Sequence, residues 1–209
     1  MMRKLLFAFL LISIVKFSNA QTINFGVKAG LNLSELTHSD PNGYGSSILA
    51  GFRVGGIVDI GFQNFSIQPG VFYSTKGEKD KMEFVGSDGL NTKYLSSKIV
   101  LNYIEIPVNF LYKWKVAPGI KFDLGGGPYI GYGTSETVTY PDFNSATRSA
   151  HGKFTYKNPD FGVNLVAGVE IKNKFIIDAG YGYGLSNIAS YNSTIHNSVF
   201  SISLGYMFR

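Results

Sequence analysis

The sequence predicts an all-β fold: an eight-stranded antiparallel up-and-down transmembrane β-barrel, residues 21–209, after a cleaved signal peptide, residues 1–20. Three observations carry this. The final stretch, Ser198 to Arg209 (SVFSISLGYMFR), sets Phe200, Ile202, Leu204, Tyr206 and Phe208 against Ser201, Ser203, Gly205 and Met207. Successive side chains of a strand point to opposite faces, so this is one apolar face and one mild face. The same two-residue period recurs in seven earlier stretches, and the connections between stretches alternate long and short, as in membrane barrels.

The first 20 residues stand apart. Arg3 and Lys4 form a basic start, Leu5 to Val15 an apolar run, and Ser18-Asn19-Ala20 a small-x-small cleavage site. Such a segment is a secretory signal, too short to span a membrane. No cysteine follows it, which argues against a lipoprotein anchor, and with no cysteine in the sequence neither a disulfide framework nor thiolate metal sites are available. Without Arg3, Lys4 and Lys16, 16 of the 19 basic residues remain against 14 acidic ones, a net +2 in place of +5. The basic character therefore belongs largely to the signal, and there is no nucleic-acid footprint.

From Thr22 to Ser34, Ile23, Phe25, Val27, Ala29, Leu31 and Leu33 alternate with polar or small residues. A loop of turn-forming residues leads to Ile48–Ile60, with Arg53 and Asp59 on the polar side. A tight turn at 61–64 precedes Phe65, Ile67, Pro69, Val71 and Tyr73. A long polar loop is expected from about Lys76 to Ser97. Lys98–Tyr112 follows, then a turn at 113–119 and the strand Ile120–Gly133, and a third long loop from about Thr134 to Asn158. Phe161–Ile171, a turn at 172–174, Phe175–Leu185 and a last loop at 187–196 lead to the terminal strand. Pro69, Pro107 and Pro128 each predict a bulge or an unpaired position, since proline cannot donate to a ladder.

Strands of 11–14 residues suit a tilted crossing of the bilayer, and only a closed barrel satisfies every backbone group in hydrocarbon. A soluble sandwich or lipocalin-like barrel is disfavoured, because the non-apolar face is too small and glycine-rich to pack a core. The orientation expected puts Asn64, Trp114 and Asn173 at the periplasmic side and residues 35–47, 77–97, 135–158 and 187–196 outside the cell.

The stretches YIEIPVNFLYKW (103–114), FDLGGGPYIGY (122–132), DFGVNLVAGVE (160–170) and DAGYGYGLSNI (178–188) resemble the PorT-like outer-membrane β-barrel family of Bacteroidetes. The resemblance covers nearly the whole mature chain. It implies an eight-stranded barrel in outer-membrane lipid, inserted by the outer-membrane assembly machinery through a terminal aromatic strand. Arg209 after Phe208 departs from signals that end on the aromatic itself. The family name also implies a link to protein secretion.

The inward face is expected to hold Lys28, Arg53, Asp59, Glu105, Lys121, Asp123, Glu170 and Asp178. Lys28, Arg53 and Glu105 count to mid-height, and Asp123, Asp178 and Glu170 lower. Buried charges need partners, so an ion-pair cluster plugging the lumen is expected, centred on an Arg53–Glu105 pair with Lys28 nearby. The competing readings are a gated ion path or a small-ligand site. Trp114, Tyr112, Tyr206 and Phe208 are expected in one aromatic girdle, and Tyr73, Tyr132 and Tyr183 in the other. His38, His151 and His196, with Asp40, Glu136 and Asp142, lie on the long-loop side without metal-ligand spacing. No enzyme activity and no cofactor are expected, and the glycines are no phosphate cradle because no helix follows. The function expected is loop-mediated binding or adhesion to an extracellular partner. A secretion-complex subunit and a narrow channel are the alternatives.

Overall fold

The computed structural model describes residues 21–38, 46–85, 92–140, 148–152, 155–190 and 194–208; residues 1–20 lie outside this set. The strands are β1 (Gln21–His38), β2 (Ser46–Phe62), β3 (Phe65–Val85), β4 (Thr92–Ala117), β5 (Ile120–Tyr140), β6 (Arg148–Gly152), β7 (Asp160–Ile171), β8 (Phe175–Gly184) and β9 (Ile195–Phe208). Eight of them close a ring of antiparallel neighbours, β1 to β5 and then β7 to β9. The seam is the β1–β9 ladder, running from Phe25↔Phe208 to His38↔Ile195. The short β6 pairs only with the far end of β5, Tyr140↔Arg148 to Glu136↔Gly152.

The two-residue period sorts the faces as the sequence requires. Leu31, Leu165 and Leu204 are 67%, 65% and 64% exposed, and Phe25, Phe52, Phe110, Phe161 and Phe200 share that outer surface. Their inward neighbours, including Asn24, Lys28, Asn32, Asp59 and Ser201, are buried. In water such an outer surface would be an aggregation hazard. In hydrocarbon it is the solvated side of the protein.

Large inward rings occupy the space that glycine leaves open. A Cβ on Gly162 would stand 2.3 Å from the Tyr129 ring, and one on Gly70 would stand 2.7 Å from the Phe72 ring. Ladder pairing lapses beside each proline without a change of register. It skips from Ile57↔Gly70 to Ile60↔Ile67 beside Pro69, and from Pro107↔Tyr129 to Phe110↔Gly126 beside Pro128. On the β3–β4 side it skips from Pro69↔Val108 to Phe72↔Glu105, leaving Pro107 unpaired there.

Strand length is where the structure departs from expectation. β3, β4 and β5 have 21, 26 and 21 residues, well beyond the 11–14 expected, and the segment read as a loop from Lys76 to Ser97 is mostly a hairpin. Its ladder continues through Lys79↔Lys98 to Val85↔Thr92. Apolar–polar alternation reports hydrocarbon on one face. Past the bilayer both faces meet water, so the strand persists while its sequence signal disappears. The β4–β5 turn is likewise tighter than 113–119: Ala117 pairs with Ile120 across Pro118-Gly119, which leaves Lys113 and Trp114 on β4. Gly119 has φ +75 there, a left-handed conformation that glycine adopts without a Cβ clash.

The connection after β8 turns inward. Ile188 and Ala189 are almost fully buried, and Ile188 packs with Leu36, Leu101 and Tyr103 in the mouth of the barrel. The amide of Lys157 donates to the Ile188 carbonyl at 2.8 Å, and the Ile188 amide donates to Ile195 at 3.0 Å. A segment expected to be displayed outside is, at Ile188, a cap over the long-loop end.

Candidate functional site in the barrel lumen

Two polar networks cross the lumen. The one nearer the short turns runs as a single chain. Lys121 lies 3.3 Å from Glu170, and Lys113 Nζ is 3.2 Å from Glu170 and 2.8 Å from Asp59. Gln68 Nε2 donates to Asp59 at 3.3 Å, and its Oε1 accepts from Lys28 Nζ at 2.8 Å. Lys28 pairs in turn with Asp178 at 2.7 Å. Every barrel strand except β9 contributes a link. Asp123, 5% exposed, lies among these groups; no lysine or arginine nitrogen comes within ion-pairing distance among the described residues, and Lys28 and Lys113 supply positive charge across the lumen.

The second network, toward the long-loop end, is built on Lys76. Its ammonium pairs with Glu105, lies 3.7 Å from Asp160, and stands over the Tyr129 and Tyr103 rings at 4.6 and 5.1 Å. Asp160 is fully buried and well supplied with donors: Tyr129 Oη at 3.0 Å, Asn197 Nδ2 at 2.9 Å and Ser186 Oγ at 2.8 Å. Asn197 Nδ2 also donates to Tyr103 Oη at 3.2 Å.

Between the networks lies a cavity of about 40 Å³ lined by Arg53, Asn32, Asn109 and Ser201, among others. Arg53 Nε and the Oδ1 atoms of Asn32 and Asn109 have no protein partner. A polar cavity of that size holds a few waters, which satisfy such atoms.

The expected Arg53–Glu105 pair does not form. The Arg53 guanidinium stacks on Phe72 at 4.3 Å and donates to Ser201 at 3.4 Å, and Glu105 takes Lys76. β3 lies directly beside β4, with Ser74↔Tyr103 and Phe72↔Glu105 in register, so Lys76 reaches Glu105 sooner than Arg53 does from β2. Lys28 is also misplaced by counting heights. Barrel strands are tilted and staggered, and the seam register Lys28↔Gly205 with Ser203↔Asp178 carries Lys28 to Asp178.

Sequence reading missed Lys76 and Lys113 because both stand in charge-rich runs that resemble turns. The signal was present: each continues the inward phase by one step, Ser74 to Lys76 and Leu111 to Lys113. Tyr103, Tyr129 and Asn197 share that phase.

The aromatic residues meet at the short-turn end. Tyr112 and Trp114 are 4.5 Å apart by ring centroid, Trp114 and Phe122 5.6 Å, Phe175 and Tyr206 5.5 Å, and Tyr206 and Phe208 5.6 Å. At the other end Tyr73 packs on Phe52 at 5.8 Å, Tyr132 is exposed, and Tyr183 stacks on His196 at 5.8 Å. His196 Nδ1 lies 3.0 Å from the Ser186 carbonyl, and Glu136 accepts from the Thr155 amide at 2.9 Å. Asp40, Asp142 and the side chains of His38 and His151 lie outside the described residues. Among those described, no group of three acidic or histidine side chains could hold a metal.

A closed ring of tilted strands with an apolar outside and a charged inside defines a transmembrane barrel of the outer-membrane type. The chain belongs to the outer membrane protein beta-barrel domain family, whose profile matches residues 19–190, and it is a protein of the bacterial outer membrane, seated in its lipid. No curated protein matches the chain. Among solved structures it is similar to Ail, the attachment invasion locus protein of Yersinia pestis, in complex with the heparin analogue sucrose octasulfate, at 14% identity and a TM-score of 0.42. That match covers 89% of this chain and 99% of Ail. It is also similar to Neisserial surface protein A, at 15% identity, a TM-score of 0.45 and coverage of 88% and 97%. OprG of Pseudomonas aeruginosa matches at 13% identity, a TM-score of 0.36 and coverage of 91% and 98%.

Proposed function

We propose that this is a non-enzymatic barrel whose lumen is closed and whose work is done by its long-loop end, through binding or adhesion to an extracellular partner. The observation that carries the reading is the β3–β4 hairpin. About 9–11 residues suffice for a strand to cross a bilayer, yet β3 and β4 run to 21 and 26. Ladder pairing holds the surplus as a rigid sheet rather than a loose loop.

The lumen supports the same division of labour. An ion crossing it would have to displace the Lys121-to-Asp178 chain, pass Lys76 with its two carboxylates, and push aside Ile188. This argues against the narrow-channel alternative. In this reading residues 1–20 are the removed signal peptide and 21–209 the mature barrel, with the short turns in the periplasm. The terminal strand is read by the outer-membrane assembly machinery. A finer place among PorT-like barrels, as a secretion accessory, rests on the four stretches quoted above.

The test compares proteoliposomes carrying the full chain with a variant lacking residues 80–97, on immobilised matrix proteins and glycans. Binding by the full chain that is lost in the deletion supports the reading. No binding by either, together with a stoichiometric protein partner recovered from detergent extracts, would replace it with the secretion reading.

A further inference from the structure

The mouth at the short-turn end is ringed on one side by lysines. Lys115 and Lys121 alternate with the outward Trp114, Val116, Ile120 and Phe122, so both lie on the lumen-facing phase of the β4–β5 hairpin. Lys172 and Lys174 continue the inward phase of Glu170 and Ile176 by one step, to either side of Asn173. Lys115, Lys172 and Lys174 are exposed and Lys121 is half-buried. The carboxylates at this end, Asp59, Asp123 and Glu170, are buried inside the lumen. Glu170 holds Lys121 at 3.3 Å, whereas Lys115, Lys172 and Lys174 have no carboxylate within ion-pairing distance among the described residues. The β2–β3 turn, Gln63-Asn64, is uncharged, so the surplus positive charge sits on one side of the opening.

These lysines stand on a fixed frame. The Lys172 amide donates to the Gly119 carbonyl at 2.6 Å, and the Lys174 amide to that of Ile171 at 3.0 Å, which ties the two turns together. Lys115 lies directly across the ladder from Lys121, a like-charge arrangement that destabilises a sheet unless an anion relieves it. A depression of about 550 Å³ beside them is lined by Lys115, Lys121, Gly119 and Asn173, among others. Lys115 is on β4, and Lys172 and Lys174 are on the turn joining β7 to β8, two to three strand spacings round the wall. At about 4.8 Å per spacing that distance is roughly 10–14 Å. Alternate side chains of an extended peptide lie about 6.7 Å apart on one face, so three same-face carboxylates span about 13 Å.

We propose that this mouth docks an extended acidic segment of a protein partner, whose alternate Asp or Glu side chains enter from the short-turn side. The carboxylates accept from the ammonium groups of Lys115, Lys172 and Lys174 and relieve the Lys115–Lys121 repulsion. A single extended strand fits a narrow opening that a folded surface cannot enter. In the orientation proposed above the partner is periplasmic, but the docking itself does not depend on which compartment the turns face.

The probe is a fluorescein-labelled octapeptide of alternating glutamate and serine, titrated into the detergent-purified full chain and followed by anisotropy. It should bind saturably at low salt and lose affinity as salt rises, and its glutamine–serine counterpart should not bind. Lys115→Gln/Lys172→Gln/Lys174→Gln should weaken binding about eightfold, from roughly twofold per exposed ion pair. Lys79→Gln/Lys98→Gln, a like-charged cross-strand pair at the opposite end, should leave it unchanged. Trp114 is the only tryptophan of the chain and adjoins Lys115. A nitroxide on the peptide should therefore quench it in the unaltered protein, which locates the site even if the triple variant does not fold. Absence of saturable binding or of quenching would overturn the proposal, as would undiminished binding in the folded triple variant. Lysine-dependent co-sedimentation with purified cell-wall sacculi, without peptide binding, would overturn it in favour of a cell-wall contact. The adhesion reading, tested at the other end of the barrel, stands or falls separately.

Discussion

Lys76→Met is the perturbation that bears hardest on the lumen. Lys76 is 3% exposed, as buried as an aliphatic core residue. Methionine keeps the length and apolar volume of the stem while removing the charge. Asp160 tolerates that loss, because three neutral donors remain at 2.8 to 3.0 Å. Glu105 does not, since Lys76 is its only cation within ion-pairing distance among the described residues. Removing one partner of a buried pair costs about 3–5 kcal/mol, and the lost ammonium–ring contacts with Tyr129 and Tyr103 contribute to that figure. Glu105→Gln should cost less, about 1–3 kcal/mol, because Lys76 retains Asp160 and the amide keeps its hydrogen-bonding capacity. The double variant should fall short of the summed single costs by about 1–2 kcal/mol, as coupled neighbours do. Equilibrium unfolding in urea from detergent or lipid, followed through Trp114, measures all three. Costs that add within about 0.5 kcal/mol, or a Lys76→Met cost no larger than that of Glu105→Gln, would refute the reasoning.

Other sites give independent checks by the same unfolding assay. Leu165→Arg puts a charge into hydrocarbon and should cost about 2–4 kcal/mol, whereas Asn164→Ser, one residue away and inward, should cost under about 1 kcal/mol; equal penalties would mean the faces are reversed. Ile188→Ala empties the cap over Leu36, Leu101 and Tyr103 and should cost about 2–5 kcal/mol, while a solvated loop residue would cost almost nothing. Gly70→Ala forces the Phe72 ring aside and should cost about 1–3 kcal/mol, and a neutral result would show that the ring has room. Arg53→Gln should cost about 1 kcal/mol or less, well below Lys76→Met, because Arg53 faces an aromatic ring and a hydroxyl rather than a carboxylate.

The barrel was legible because its cause is periodic. Lipid on one face and a crowded lumen on the other impose the same two-residue rule on every strand, and residues such as Leu31, Leu165 and Leu204 obey it. Strand ends were not legible, because β3 and β4 continue into water, where that rule no longer operates. Phase pointed to inward residues such as Lys28, Asp59 and Glu105 but, in the charge-rich runs, not to Lys76 and Lys113, and it carried no pairing. Lys28 meets Asp178 through the stagger of β9, and Glu105 meets Lys76 through adjacency of β3 and β4. Both depend on register, which no single strand encodes. The inward fold of Ile188 had no periodic signal. Its one hint is an apolar pair, Ile188-Ala189, within a polar connection.

In the proposed reading, two charged networks and the Ile188 cap close the lumen. Planar-bilayer recording from the purified, reconstituted barrel tests it most directly. A closed barrel gives a flat baseline at neutral pH, with conductance steps only after combined changes such as Lys76→Ala, Glu105→Ala and Ile188→Ala. Reproducible unitary conductance from the unaltered protein would contradict the account.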